Sequence, residues 1–191
     1  MKPVGMLGGT FDPIHIGHLI TAQFLLELRN LEKIIFIPCY ISPHKTHGNY
    51  SLPEHRINMI RLALNGIDRF SFSNIEVQRE GISYTYDTLL ELKKDYADIE
   101  LIIGYDNLSK FDTWKEPDKV IELAKLVVMN RKIYEPETKQ DKYSHAAIYV
   151  DTPHIEVSST VIRERIRSNL PVDFLVTEKV KEYIYSNKLY I

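Results

Sequence analysis

Apolar, β-branched runs alternate along this chain with segments of helical periodicity. The runs fall near 3–8, 33–38, 70–75, 99–104, 125–130 and 147–151, and each reads as a strand. Between them, helix candidates lie near 16–29, 52–65, 85–96 and 114–124, and two more near 159–168 and 173–185 close the chain. Ser51-Leu52-Pro53-Glu54 fits a capping box that opens the second helix. Such an alternation marks a parallel sheet covered on both faces. Right-handed crossovers then predict an α/β fold: a doubly wound, Rossmann-like parallel sheet with helices on both faces and a short C-terminal helical segment. Its ligand crevice should lie at the carboxyl ends of the strands. Tyr134 to Tyr143 is the most polar stretch and predicts a mobile surface loop. No repeat, linker or break in composition divides the chain, so a single domain over 1–191 is expected.

The first strand runs into Gly8-Gly9-Thr10-Phe11-Asp12-Pro13-Ile14-His15-Ile16-Gly17-His18, just before a long amphipathic segment. Gly8 and Gly9 let the backbone turn sharply and let a ligand approach its N–H groups. The helix opening near Ile16 adds unpaired amides and a positive dipole end. This run predicts a phosphate site. His15 and His18, three apart, should lie on neighbouring positions of the first helical turn, aimed at the same anion. Histidines at a helix start more often serve as surface or capping residues, but the unbroken run behind a strand favours phosphate. A dehydrogenase-type dinucleotide site would need Gly-x-Gly-x-x-Gly with an acidic residue about 20 positions on. Gly5-Met6-Leu7-Gly8-Gly9-Thr10 lacks that pattern.

Composition narrows the class further. The 191 residues are 44% hydrophobic and 26% charged, as in an ordinary soluble protein, and no apolar run is long enough to span a bilayer. The N-terminus carries no signal-peptide pattern, and the lone Cys39 excludes an internal disulfide, so a cytoplasmic location is expected. A net charge of −2 argues against a general nucleic-acid or membrane partner. Cys39, His44, His47 and His55 are a conceivable zinc set, but their spacing matches no standard finger, and no resident metal is expected. Homo-oligomerisation stays open.

The run from Gly8 to His18 resembles the (H/T)xGH signature of the adenylyl- and cytidylyltransferases related to class I aminoacyl-tRNA synthetases. In its fuller form it is similar to that of bacterial nicotinate-mononucleotide adenylyltransferases. Further segments fit the same family in order. Ser42-Pro43-His44-Lys45 departs from the family's Pro-Pro-His-Lys only at its first residue. Arg79-Glu80-Gly81-Ile82-Ser83-Tyr84-Thr85-Tyr86-Asp87-Thr88 resembles RxGxSYTxDT, with Thr85 read as a helix N-cap. Gly104-Tyr105-Asp106 with Phe111 and Trp114 resembles GxDxxxxFxxW, before a helix opened by Thr113-Trp114-Lys115-Glu116. Ser158-Ser159-Thr160 with Arg163 resembles the S-S-T-x-x-R segment at the family's last motif.

The resemblance implies transfer of AMP from ATP to nicotinate mononucleotide, giving nicotinate adenine dinucleotide and pyrophosphate in NAD synthesis. It implies phosphate binding by Gly8, Gly9, Thr10, Phe11 and Gly17, with His15, His18, Lys45 and Arg163 as the catalytic set. Ser158, Ser159 and Thr160 would offer donors to the ATP phosphates, and Arg131, after the fifth strand, would add a phosphate contact. On the pyridine side, the ring would stack on Trp114 and its carboxylate would meet amides around Tyr84, Thr85 and Lys115. Gly104 and Asp106 would meet the ribose. Two helix starts facing one crevice suit such a carboxylate. Mg²⁺ is expected with ATP, held largely by substrate and water. Nicotinamide mononucleotide or another phosphorylated acceptor such as phosphopantetheine are the alternative substrates, and a non-catalytic nucleotide sensor is the alternative class.

Overall fold

The computed structural model describes residues 2–43, 50–129 and 141–191. Six strands, β1 (Val4–Gly9), β2 (Ile34–Pro38), β3 (Phe70–Phe72), β4 (Ile99–Gly104), β5 (Lys125–Met129) and β6 (Ile148–Val150), form one parallel sheet in the order β3-β2-β1-β4-β5-β6. The chain thus builds outward from β1 in one direction, then crosses over to β4 and builds outward in the other. The crevice between the carboxyl ends of β1 and β4 is the switch point where such sheets bind ligands.

Strand residues alternate between two cores, as period-two geometry requires. Leu7, Phe36, Ile102 and Val127 face one core, and Met6, Ile35, Leu101 and Val128 face the other. The first is closed by α1 (Ile16–Leu28), α2 (Pro53–Leu64), α8 (Ser159–Arg167) and α9 (Glu178–Ser186). The second is closed by α4 (Thr85–Leu92) and α6 (Pro117–Leu123). Burial on both faces explains why the strands read as unbroken apolar runs. Glu100, on β4 but 1% exposed, is held by both arms of the Arg29 guanidinium at 2.9 and 2.8 Å.

Four short elements were not legible: α3 (Ile75–Arg79), α5 (Tyr105–Leu108), a 3₁₀ turn (Phe111–Thr113) and α7 (Lys142–Ala146). Each is five residues or fewer, too short for a periodic pattern to register. α7 also corrects the end of the expected loop, where the Asp141 carboxylate caps it by accepting from the Tyr143 and Ser144 N–H groups at 3.1 and 2.8 Å. The expected capping box at Ser51 is not formed. α2 starts instead with Leu52 as N-cap and Pro53 as its first residue, a position that needs no N–H. α9 begins at Glu178 rather than near 173, with the Thr177 hydroxyl capping Val180.

Candidate active site

A cavity of about 380 Å³ opens at the carboxyl ends of β1 and β4. It gathers residues that lie far apart in sequence: Gly8, Gly9, Thr10, Phe11 and His18 on one side, Tyr84, Thr85, Gly104, Asp106, Trp114 and Lys115 on the other. Cys39, Ser42, Glu76 and Ser83 also line it; Ser42 and Ser83 stand in the quoted motifs without an assigned role, and Glu76 carries no sequence signal.

The glycine-rich turn leaves β1 through Phe11, whose φ of 50° places a bulky residue in the left-handed region. The Phe11 ring is buried, edge-on to His18 at 5.0 Å. The His15 backbone N–H donates to His18 Nδ1 at 3.2 Å, so in the neutral ring the proton sits on Nε2. His15 and His18 stack at 3.6 Å between centroids. Burial pushes the His15 imidazole down to about 4, and burial together with the neighbouring His15 holds His18 well below the ordinary histidine range. Both rings are therefore neutral at pH 7 and act as hydrogen-bonding groups rather than cations. They do not share the cavity wall equally: His18 lines it, and His15 stacks behind, 7% exposed, with Nδ1 unpaired among the described residues. Gly17 is explained by that packing, since a Cβ there would stand 3.0 Å from His15 Nδ1.

The opposite wall is built by α4 and the segment before α6. The N-cap of α4 is Tyr84, so Thr85 is the first helical residue and not the cap. Tyr84 makes no side-chain cap bond, which leaves first-turn amides without helical partners at the cavity. The second expected helix start is displaced: Glu116, with φ 51° and ψ 53°, is the N-cap of α6, and Trp114 and Lys115 precede it. Trp114 packs on the buried Phe111 at 4.8 Å between ring centroids. Lys115 Nζ pairs with Asp87 at 2.8 Å and lies 4.9 Å from the Tyr84 ring centroid, tying this segment to the start of α4. Asp106 folds back over the end of β4, and a Cβ on Gly104 would stand 2.5 Å from its Oδ1. Behind this wall, Thr88 donates to Glu76 at 2.7 Å and accepts from Arg79 at 3.0 Å. Burial pushes the Glu76 carboxyl upward against the opposing hydrogen bonds from Thr88 and Ser83.

The last motif does not line the cavity but braces the turn that does. Ser158 is the N-cap of α8 and accepts from the Val161 N–H at 3.2 Å. Ser159 Oγ donates instead to the Pro13 carbonyl at 2.8 Å. Arg163 donates to the Asp12 carbonyl at 2.7 Å and to Thr160 Oγ1 at 3.2 Å. Lys45 and Arg131 lie outside the described residues, as do His44 and His47 of the conceivable zinc set. Of the remaining two, His55 engages Tyr183 at 2.9 Å and Cys39 faces Thr10.

Arg56 is the residue that motif reading missed. It is 1% exposed, and it donates to the carbonyls of Ser51 (3.2 Å), Thr10 (3.0 Å), Cys39 (2.6 Å) and Tyr40 (3.3 Å). One guanidinium thereby joins the glycine-rich turn to the chain leaving β2. An arginine one turn into an amphipathic helix reads as a solvated charge, so its sequence carries no signal of this role.

A family model for cytidylyltransferase-like proteins matches residues 6–165. Nicotinate-nucleotide adenylyltransferase of Bacillus subtilis is 39% identical over 192 aligned positions, covering 100% of this chain and 99% of the relative. The chain belongs to this family, among its nicotinate-nucleotide adenylyltransferases. The fold agrees with its members: Plasmodium falciparum nicotinic acid mononucleotide adenylyltransferase complexed with NaAD superposes with a TM-score of 0.78 at 19% identity, covering 100% of this chain and 98% of that one. The same protein complexed with APC gives 0.76 at 19% identity. Family membership accounts for residues of four of the five motifs meeting at one switch-point cavity while the fifth braces its turn. It also disposes of the dehydrogenase alternative.

Proposed function

We propose that this protein transfers AMP from ATP to nicotinate mononucleotide, releasing pyrophosphate and forming nicotinate adenine dinucleotide. One observation carries the reading: a single cavity joins the Gly8–His18 turn to the wall of Thr85, Asp106 and Trp114. The first half suits a polyphosphate and the second suits a pyridine carboxylate, so the two substrates meet at the switch point.

In the reaction, a 5′-phosphate oxygen of the mononucleotide attacks the ATP α-phosphorus in line, and the bond to the departing pyrophosphate breaks. That phosphate is ionised at neutral pH, so no strong base is needed. Catalysis reduces to alignment and to donors placed where charge develops. The Nε2–H of neutral His18 donates to an α-phosphoryl oxygen, with His15 stacked behind it to fix the ring. Amides of Gly9 and Thr10 add further donors, and Ser159 and Arg163, donating to the Pro13 and Asp12 carbonyls, brace the turn that presents them. Magnesium enters as part of the substrate, carried on the ATP phosphates. The pyridine ring stacks on Trp114, its carboxylate takes amides around Thr85 and Lys115, and Asp106 accepts from a ribose hydroxyl.

Pyrophosphate release from ATP with nicotinate mononucleotide, nicotinamide mononucleotide and phosphopantetheine as separate acceptors tests this. Turnover greatest with nicotinate mononucleotide is expected. Release only with phosphopantetheine, or with no acceptor, would overturn the assignment.

A further inference from the structure

Asp12 has no assigned part in the reaction, yet its carboxylate is 1% exposed in the middle of the glycine-rich turn. Both oxygens are occupied. Oδ2 accepts from the Ser51 N–H at 3.1 Å, and Oδ1 accepts from the Tyr190 hydroxyl at 2.6 Å, across 178 positions of sequence. Tyr190 reaches it because the chain beyond α9 folds back, with Lys188 at φ 51° and Tyr190 at φ 66°. Two left-handed residues that are not glycine need a surrounding structure that enforces them. Leu189 and the Tyr190 ring supply it by packing against the core of the α1 and α2 face. The phenol is pushed far up, first by burial and then by the Asp12 charge, so it stays a donor.

The main-chain groups beside this carboxylate hold the phosphate machinery. The Asp12 carbonyl is the anchor of the Arg163 guanidinium at 2.7 Å, the Pro13 carbonyl that of Ser159 at 2.8 Å, and His15 follows two residues later. We propose that Tyr190 is a positioning residue for the reaction: its hydroxyl fixes Asp12, and through Asp12 the turn, Arg163 and His18 are held where the ATP phosphates need them. This rests on the adenylyl-transfer reading above. A short O–H···O⁻ bond is among the stronger ones, and deleting its donor leaves a buried oxygen unpaired.

The test is Tyr190→Phe against Tyr183→Phe. Tyr183 sits on α9, and its hydroxyl meets His55 Nδ1 at 2.9 Å and Asn58 Nδ2 at 3.0 Å, both on α2 and outside the 8–18 turn. Both variants should lose thermal stability, Tyr190→Phe more than Tyr183→Phe because its acceptor is a buried carboxylate. Only Tyr190→Phe should lower kcat by about tenfold and raise the KM for ATP, with the KM for nicotinate mononucleotide within about twofold of wild type, one decade lying within the cost of an unpaired buried partner. Amide hydrogen exchange over 11–18 should quicken in Tyr190→Phe and not in Tyr183→Phe. Asp12→Asn should slow turnover similarly, and the double variant should add little to either single one. Wild-type kinetics and exchange in Tyr190→Phe, or an equal kinetic loss in Tyr183→Phe, would overturn the proposal. A wild-type enzyme that released no pyrophosphate would overturn the reaction instead, and the exchange comparison would still decide what Tyr190 holds.

Discussion

Replacing Arg56 by alanine should damage this fold more than any other exposed-looking charge in the sequence would suggest. Four backbone carbonyls, of Thr10, Cys39, Tyr40 and Ser51, each lose a donor, and the site is too enclosed for water to replace a full guanidinium at once. Leaving a buried acceptor unpaired costs about 1–3 kcal/mol. The lower figure applies, because truncation also removes the cost of burying the charge, so four carbonyls amount to about 4 kcal/mol. That is a large share of a typical stability of about 5–15 kcal/mol. At about 2–4 °C per kcal/mol for a chain of this size, Tm should fall by roughly 8–16 °C. Calorimetry and urea unfolding measure it. Arg56→Lys keeps the charge but cannot span four carbonyls from one point, so it should recover less than half of the loss. A Tm within about 3 °C of wild type for the alanine variant, or full recovery by lysine, would show that the turn and the β2 exit do not depend on this fork.

Other outcomes follow from the same geometry. His18→Ala should lower kcat by about 10² to 10³ with little change in Tm, because it removes one preorganised donor; near-normal turnover would exclude Nε2 from the transition state. Ser158→Ala should cost about 1 kcal/mol in urea unfolding as a lost N-cap, whereas Ser159→Ala, which frees the Pro13 carbonyl, should show mainly in kcat. His15 gives a pH signature: its value falls from 6.5 to about 4 on folding, so the unfolded chain takes up the proton first as pH drops. Stability is thus unaffected by this group above pH 6.5 and is lost between 6.5 and about 4, by about 3 kcal/mol in all. Urea unfolding at about pH 7.5 and about pH 4.5 should show a smaller drop in His15→Gln than in wild type, and equal drops would refute the buried neutral imidazole.

The sheet was legible because its strands are buried on both faces and their apolar runs are unbroken, as in Ile34-Ile35-Phe36-Ile37. The cavity was legible because one glycine pair, the histidines after it and a sole tryptophan stand in motifs at strand ends. Three kinds of feature were not. Caps shift by one residue when neighbours have the same chemistry: Ser158 and Ser159 can both cap, and the Pro13 carbonyl decides which one does. Single helical turns such as α5 and the 3₁₀ turn leave no periodic trace, so Trp114 read as the start of a helix that begins three residues later. Long-range polar contacts carry no local signal at all. Nothing near Arg56 announces Thr10, and nothing near Tyr190 announces Asp12.

The displaced helix start changes the argument for acceptor choice without reversing it. On the proposed reading, the pyridine carboxylate would face one helix N-terminus, at Tyr84 and Thr85, with the Lys115 backbone and the Asp87-paired Lys115 ammonium beside it rather than a second helix. Amides and an ammonium are all donors. A carboxylate satisfies them with two acceptor oxygens and a charge, whereas the carboxamide of nicotinamide must turn its N–H₂ toward one of them. A mispaired donor costs about 1–3 kcal/mol, and losing the charge-assisted bond adds to it, so kcat/KM should favour nicotinate mononucleotide by at least about tenfold. Lys115→Ala should narrow that preference, since the ammonium contributes only to the charged acceptor. Trp114→Ala should weaken both pyridine acceptors by about 3- to 10-fold, the worth of one aromatic stack, and leave the KM for ATP unchanged. Steady-state pyrophosphate release with each acceptor measures all three, and equal efficiencies for acid and amide would show that these donors do not face the ring substituent.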